Sequence, residues 1–295
     1  MSFIIMTMQQ ISFYKKHKAS IDQFIINALE EDIGHGDHTS LSCLSSQQHN
    51  SVKLIAKERG IIAGVELAQI IFKQVNSSIQ CTAHKQDGSQ IIPGDNIMTI
   101  EGPQYDLLAT ERLVLNCMQR MSGIASLTQR LSQKIRHTKC MLLDTRKTTP
   151  NFRYPEKWAV QIGGGNNHRI GLFDMIMIKD NHIDFNGSIS KTLQKTQSYL
   201  TDNKLSLKTI VEVRNLAEIE ECFEFPWIHR LLLDNMSPQE LKKAIALIQG
   251  RFTTEASGNI NENNLVEIAE TGVDYASLGA LTHSAKNIDL SLKKA

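Results

Sequence analysis

Apolar residues recur with helical spacing in parts of the first half of the chain, and in short strand-like runs through the second. Near the start, Ile21, Ile25 and Leu29 mark one helical face behind Ser20-Ile21-Asp22-Gln23, which has the form of a capping box. That helix is expected to stop at Ile33-Gly34, leaving 34–40 as an ordered loop. Residues 51–58 and 61–64 read as strands turning at Arg59-Gly60, followed by a helix over Val65–Val75, and turn residues punctuate further strands between 88 and 102. From 105 to 137 the spacing is helical, with a break expected at Ser122-Gly123. Leu108, Leu115 and Met118 give that segment an apolar face, and Glu111 and Arg112 fall elsewhere, as charges on a solvated face do.

Beyond 140 the pattern changes to six short apolar runs, at 141–144, 175–178, 209–213, 231–233, 253–256 and 275–278. Most are followed by a helical segment, and the last four succeed one another every 20 residues or so. Strands alternating with helices predict a parallel sheet, and even spacing favours a barrel, whose chemistry sits at the carboxyl ends of its strands. A doubly wound open sheet would place its ligands at the same ends. Those ends carry Arg146-Lys147, Lys179-Asp180-Asn181-His182, Glu212, Asp234-Asn235, Ser257-Gly258-Asn259 and Gly279-Ala280. Solubility alone gives no reason to finish nearly every strand with a group suited to anions or metals.

Composition narrows the classes. With 295 residues, 41% hydrophobic and 21% charged, the chain is of globular type and long enough for a large core. A formal net charge of +1 gives no general basic field for nucleic acid or a membrane surface. No run reaches the roughly 18 apolar residues of a spanning helix. The opening Met1-Ser2-Phe3-Ile4-Ile5-Met6 lacks a basic region, so no secretory signal is expected. Five scattered cysteines without a CxxC pair read as reduced thiols, neither disulfides nor zinc ligands, which points to the cytoplasm.

Near-neutrality overall makes local charge informative. Arg146, Lys147, His168, Arg169 and Lys179 fall on two successive strand ends and the loop between them, a density that suits an anion site better than separate surface ion pairs. The loop Gly163-Gly164-Gly165-Asn166-Asn167 is compatible with two roles, presenting N–H groups to an anion or capping the helix before it. It is neither a Walker A sequence nor a dinucleotide fingerprint. Glu212 and Asp234, on consecutive strand ends, suit a hydrated Mg²⁺ that bridges substrate phosphates, and equally suit partnership with nearby lysines. Ser257-Gly258-Asn259 and Gly279-Ala280-Leu281-Thr282-His283 close the last two strands, where barrels often cradle a phosphate.

In these same residues the chain resembles quinolinate phosphoribosyltransferase, over about 21–292 and most strongly in 144–150, 163–171, 178–182, 231–235, 255–260 and 277–284. The resemblance implies an α/β protein of the type II phosphoribosyltransferase kind. An N-terminal α/β sandwich-like domain (1–126, with 282–295 packing back on it) would precede an incomplete, open α/β barrel (127–281) of six or seven parallel strands. It implies a homodimer with shared active sites, or a higher assembly, in which Arg112 reaches the neighbouring subunit's site; no nucleic acid or membrane partner is expected. By the same resemblance Arg146, His168, Arg169 and Lys179 would hold quinolinate. Lys147 would face phosphoribosyl pyrophosphate and join Glu212 and Asp234 in catalysis, those two near Mg²⁺ and the ribose. Ser257, Gly258, Asn259, Gly279, Ala280 and His283 would cradle the 5′-phosphate.

The implied reaction joins quinolinate to the phosphoribosyl donor, giving nicotinate mononucleotide, pyrophosphate and CO₂. A nicotinate phosphoribosyltransferase shares the donor chemistry and a molybdenum-locus protein shares much of the pattern, but the full set of acceptor-binding cations favours quinolinate. A catalytically silent phosphoribosyl-ligand sensor is the alternative outside enzymes, and the intact Glu212, Asp234 and Lys147 speak against it. Four features depart from the family pattern. Asn151 stands where glycine is commoner, in a turn asparagine can sustain; Ile210 replaces an earlier glutamate of the strand carrying Glu212; the segment leading to Asp234 is about one residue longer than usual; and about 20 residues precede the resemblance without an assigned role.

Overall fold

The computed structural model describes residues 12–45 and 48–295, so the apolar opening 1–6 lies outside the described residues. Among the described residues no helix is long and apolar enough to cross a membrane. The chain divides into two compact units, one from the described parts of Met1–Met121 with Pro150–Trp158 and Ile288–Ala295, the other from Ser122–Thr149 and Ala159–Asn287.

In the first unit, α1 (Phe13–Ile33) starts seven residues before the capping box expected at Ser20. Ser12 is the cap, accepting from the Lys15 N–H, and buried Phe13 stacks on Trp158 with ring centroids 5.7 Å apart. That aromatic anchor carries the helix through Ser20, with a kink at His17 (φ −120°, ψ 24°). The expected loop at 34–40 is cut short by α2 (His38–Cys43), whose first turn is capped by Asp37 accepting from the Ser40 N–H at 3.1 Å. Strands β1 (His49–Ala56) and β2 (Gly60–Ile61) follow, then α3 (Val65–Val75), β3 (Gln80–Ala83), β4 (Gln90–Ile91) and β5 (Asn96–Pro103).

Contrary to expectation, β1 and β2 do not pair with each other. β1 is central in an antiparallel sheet between β5 and the C-terminal strand Leu290–Lys294, with β3 beyond β5, and β2 pairs with β4. The turn chemistry at Arg59-Gly60 bends the chain, but register is set by the buried faces the strands share.

Helix α4 (Gln104–Lys134) runs unbroken through Ser122-Gly123. Ser122 is buried, and a Cβ on Gly123 would collide with the Lys286 backbone carbonyl, so this glycine permits close packing and does not stop the helix. The apolar face of α4 is built by Leu107, Val114, Leu115 and Met118; Leu108, assigned to it from spacing, is 46% exposed.

From residue 141 onward strand and helix alternate: β6 (Met141–Leu143), α5 (Arg153–Ile162), of which Arg153–Trp158 belongs to the first unit, β7 (Ile176–Ile178), α6 (Asp180–Asn186), α7 (Ile189–Asp202), β8 (Thr209–Val213), α8 (Leu216–Cys222) and β9 (Arg230–Asp234). Then come α9 (Pro238–Ile248), β10 (Thr253–Ser257), α10 (Leu265–Ala269), β11 (Tyr275–Ser277) and α11 (Ala280–His283). Local signals set these boundaries: Ser188, Asn215 and Ser237 each cap the helix that follows, and Ser237 with Glu240 completes a capping box ahead of Pro238.

The six strands are all parallel, in the order β6-β11-β10-β9-β8-β7. No ladder joins β6 to β7 among the described residues, so the barrel is open, with six strands. Asn166 covers the free edge of β6, giving its N–H to the Leu142 carbonyl and receiving the Asp144 N–H. Every residue of β8 is buried, as a strand covered on both faces requires, and Ile210 fills the core where the family pattern has a glutamate. Asn151 holds the left-handed φ of 61° that its turn needs.

Candidate active site

Strand register brings the carboxyl ends of the barrel to one level. Glu212 and Glu255 are both opposite Leu232, and Asp234 is opposite Ser257. With side chains alternating faces, Arg230, Leu232 and Asp234 of β9 line up with Glu255 and Ser257 of β10, and with Tyr275 and Ser277 of β11. These ends and their loops enclose a cavity of about 820 Å³, large for a single small ligand.

One wall is cationic. Arg146 and Lys179 are exposed at the mouth, whereas His168 and Arg169 are buried. Asp144, wholly buried at the end of β6, sets this wall by accepting from Asn167 Nδ2 at 2.6 Å and from the His168 N–H at 2.9 Å. Arg169 N–H donates to His168 Nδ1 at 2.7 Å, and its Nη1 donates to the Met175 carbonyl at 3.3 Å. Burial, with the Arg146 guanidinium nearby, pulls Arg169 below the usual arginine range, although Asp174 opposes the shift. Two guanidiniums that repel each other are poised for a shared anion.

The facing wall carries the carboxylates. Glu212 accepts from Lys179 Nζ at 3.2 Å, and half-buried Asp234 accepts from Asn235 Nδ2 at 2.6 Å. Asn235 also takes Asn259 Nδ2 at 3.1 Å, and gives its N–H to the Ser257 carbonyl at 2.9 Å. This links the Asp234 carboxylate to the Ser257-Gly258-Asn259 turn. Gly258 has φ +90° and abuts the Asn235 amide, so neither the conformation nor the space admits a side chain. The Lys147 stem lies over Gly279, where a Cβ would come within 2.9 Å, and Thr282 Oγ1 donates to the Lys147 carbonyl at 2.8 Å. Ala280 and exposed His283 complete this side of the cavity.

Of the residues given a substrate or metal role by the resemblance, all but one line one cavity. Arg112 is the exception, exposed on α4 in the first unit and absent from the cavity lining. The glycine loop resolves to its structural role. The N–H groups of Gly163, Gly164 and Gly165 go to the carbonyls of Ala159, Gln161 and Val160, so the triplet terminates α5 and offers no donors to an anion.

Sequence reasoning passed over Glu255 and Ser277, which line the cavity, and Arg230, which binds Glu255 from behind. Glu255 is wholly buried; its Oε2 accepts from Arg230 Nη1 at 2.8 Å and lies 3.4 Å from His168 Nε2, and Ser277 Oγ donates to Oε1. Burial alone would push this carboxyl up, but the His168 ring, the Arg230 guanidinium and the Ser277 hydroxyl hold it below the usual carboxylate range. The available signal was a charge two residues before Ser257, inside an apolar parallel strand where nothing solvates it.

Comparison with known proteins identifies the family. The sequence model described as "Quinolinate phosphoribosyl transferase, C-terminal domain" matches residues 124–293, and its N-terminal counterpart matches residues 37–122. "Quinolinate phosphoribosyltransferase [decarboxylating] 2a, mitochondrial" of Nicotiana tabacum is 44% identical over 281 residues, covering 90% of this chain and 80% of the relative. The crystal structure of NadC from Streptococcus pyogenes superimposes with a TM-score of 0.87 at 38% identity, covering 93% of this chain and 96% of that one. The nicotinate-nucleotide pyrophosphorylase from Francisella tularensis superimposes with a TM-score of 0.86 at 36% identity, covering 96% and 99%. With both halves matched in order and the open barrel shared, the chain belongs to the quinolinate phosphoribosyltransferase family.

Proposed function

We infer that this chain transfers the phosphoribosyl group of phosphoribosyl pyrophosphate to quinolinate, releasing pyrophosphate and CO₂ and forming nicotinate mononucleotide. Family membership supports the reaction. The observation that carries it is a single cavity pairing a cationic wall, Arg146, Arg169 and Lys179, with the carboxylates Glu212 and Asp234 and a glycine-lined turn. Quinolinate is a dianion, and guanidinium forks suit its two carboxylates. Lys147, over Gly279, and the 257–259 turn supply a cation and backbone groups of the kind a phosphorylated donor needs, which supports the reading.

The acceptor nitrogen bonds to ribose C1′ as the C1′–O bond to pyrophosphate breaks. Glu212 and Asp234 are anions beside the positive charge that develops on the ribose. The ring nitrogen is then cationic. It stabilises the electron pair left on the adjacent carbon when the C–C bond to the 2-carboxylate breaks as CO₂, and a proton takes that position. No side chain forms a covalent bond, and positioning dominates.

Among the described residues no group of three or more histidine, cysteine, aspartate or glutamate side chains is placed to cage a metal. Two carboxylates, one already against Lys179, instead fit Mg²⁺ that arrives on the donor's pyrophosphate and keeps several waters. When bound there it would offset charge on the leaving pyrophosphate, with Glu212 and Asp234 as the residues to hold it. We further propose a homodimer in which Arg112, exposed on α4, completes the site of a second copy. Five free thiols favour a reducing compartment, the cytoplasm, for this chain.

The acceptor is tested by supplying donor and Mg²⁺ with either quinolinate or nicotinic acid. Quinolinate should be consumed and nicotinic acid left; equal use of both would sink the assignment.

A further inference from the structure

Glu255 is a cavity carboxylate with no part in the chemistry above, yet it is the most elaborately held. Arg230, which donates to it, is itself buried and lies over the Tyr275 ring, 4.3 Å from the centroid. An apolar floor would avoid the desolvation cost of these charges. What the charges supply is a fixed orientation for their neighbour, His168.

That imidazole is hydrogen-bonded at one nitrogen and faces the Glu255 carboxylate with the other, at ion-pair distance and short of a hydrogen bond. Nδ1 accepts the Arg169 N–H at 2.7 Å, and a ring nitrogen that accepts carries no proton. The ring proton of the neutral form is therefore on Nε2, the nitrogen 3.4 Å from Glu255 Oε2. Rotating or flipping the ring breaks one contact or both. The same peptide segment is tied at its start by the His168 N–H to Asp144. The backbone that projects the Arg169 guanidinium is thus held between two buried carboxylates, Asp144 behind it and Glu255 through the ring.

We propose that Glu255 is a positioning residue for acceptor binding: through the Nε2–H tautomer of His168 it fixes the backbone from which Arg169 reaches the acceptor's carboxylates, without touching either substrate. This rests on the phosphoribosyl-transfer function inferred above. It makes the Glu255–His168 pair matter for the acceptor and not for the donor, since Lys147, Asn235 and the 257–259 turn are held by other contacts.

Glu255→Leu removes the carboxylate facing Nε2, and Glu255→Gln keeps an oxygen there while losing the charge. Glu255→Leu should raise the KM for quinolinate about tenfold or more, leave the donor KM and kcat within about twofold, and be partly rescued in Glu255→Gln. Adding Glu255→Leu to His168→Ala should cost little beyond His168→Ala alone, because the carboxylate acts through that ring. Parallel loss for both substrates, or full additivity of the two changes, would reduce Glu255 to a structural prop and overturn the proposal. Should Glu255→Leu fail to fold, Glu255→Gln is judged by the same split. Imidazole ¹⁵N shifts of the unsubstituted protein add a test without any variant: His168 protonated on Nδ1 contradicts the geometry. A wild-type enzyme that ignores quinolinate would defeat the function itself; one that turns it over while the variants show no split defeats this assignment alone.

Discussion

Arg169→Ala should lose quinolinate turnover by about two to three orders of magnitude in kcat/KM, with donor affinity nearly unchanged. The residue is 9% exposed, and burial first, then the Arg146 guanidinium, pulls it below the usual arginine range. Removing one partner from a buried, charge-assisted contact costs about 2–5 kcal/mol, most of it from the substrate carboxylate left without its fork. Arg169→Lys should recover little, because an ammonium offers a point charge where two parallel N–H groups are required. The unliganded protein should respond in the opposite sense. A guanidinium whose charged form is disfavoured by burial and by Arg146 destabilises the fold, so the melting temperature of Arg169→Ala should hold or rise. Steady-state kinetics with each substrate varied, alongside thermal unfolding, separate these effects. A variant that binds quinolinate normally would remove Arg169 from the acceptor wall.

Arg112→Ala should be inactive alone and partly active in company. Its side chain does not line the cavity of its own chain, while Glu212 does. If a second copy supplies Arg112, a mixed dimer of Arg112→Ala and Glu212→Ala contains one intact site and one doubly defective site. Random exchange of equal amounts should then restore about a quarter of wild-type activity, since half of the dimers are mixed and each has one working site. Subunit exchange is confirmed independently by tagging one variant. Exchange without any recovery would contradict a shared site.

The strand ends were legible in the sequence because a parallel barrel confines its chemistry there. A charged or glycine-rich end to an apolar run, as at Arg146, Lys179, Glu212 and Gly279, has few other causes. Much of the barrel was legible too, since caps such as Ser237 and the short buried runs act locally. What was hidden depends on distant partners. Ser20 looks like a helix start, but the helix begins at Phe13 because Trp158 receives that ring. Gly123 looks like a helix break until the Lys286 carbonyl is beside it. Glu255 looked like part of a strand, and its partners Arg230, Ser277 and His168 come from three other segments. Arg112 is a further case: it is exposed on α4 and outside the cavity, and its proposed role rests on a second copy of the chain.

The account stands most directly on one stoichiometry. Quinolinate labelled in its 2-carboxylate, incubated with the enzyme, phosphoribosyl pyrophosphate and Mg²⁺, should release labelled CO₂ and pyrophosphate in equal amounts, with nicotinate mononucleotide as the third product. Pyrophosphate released without CO₂, or no release of either from a folded protein, would contradict it.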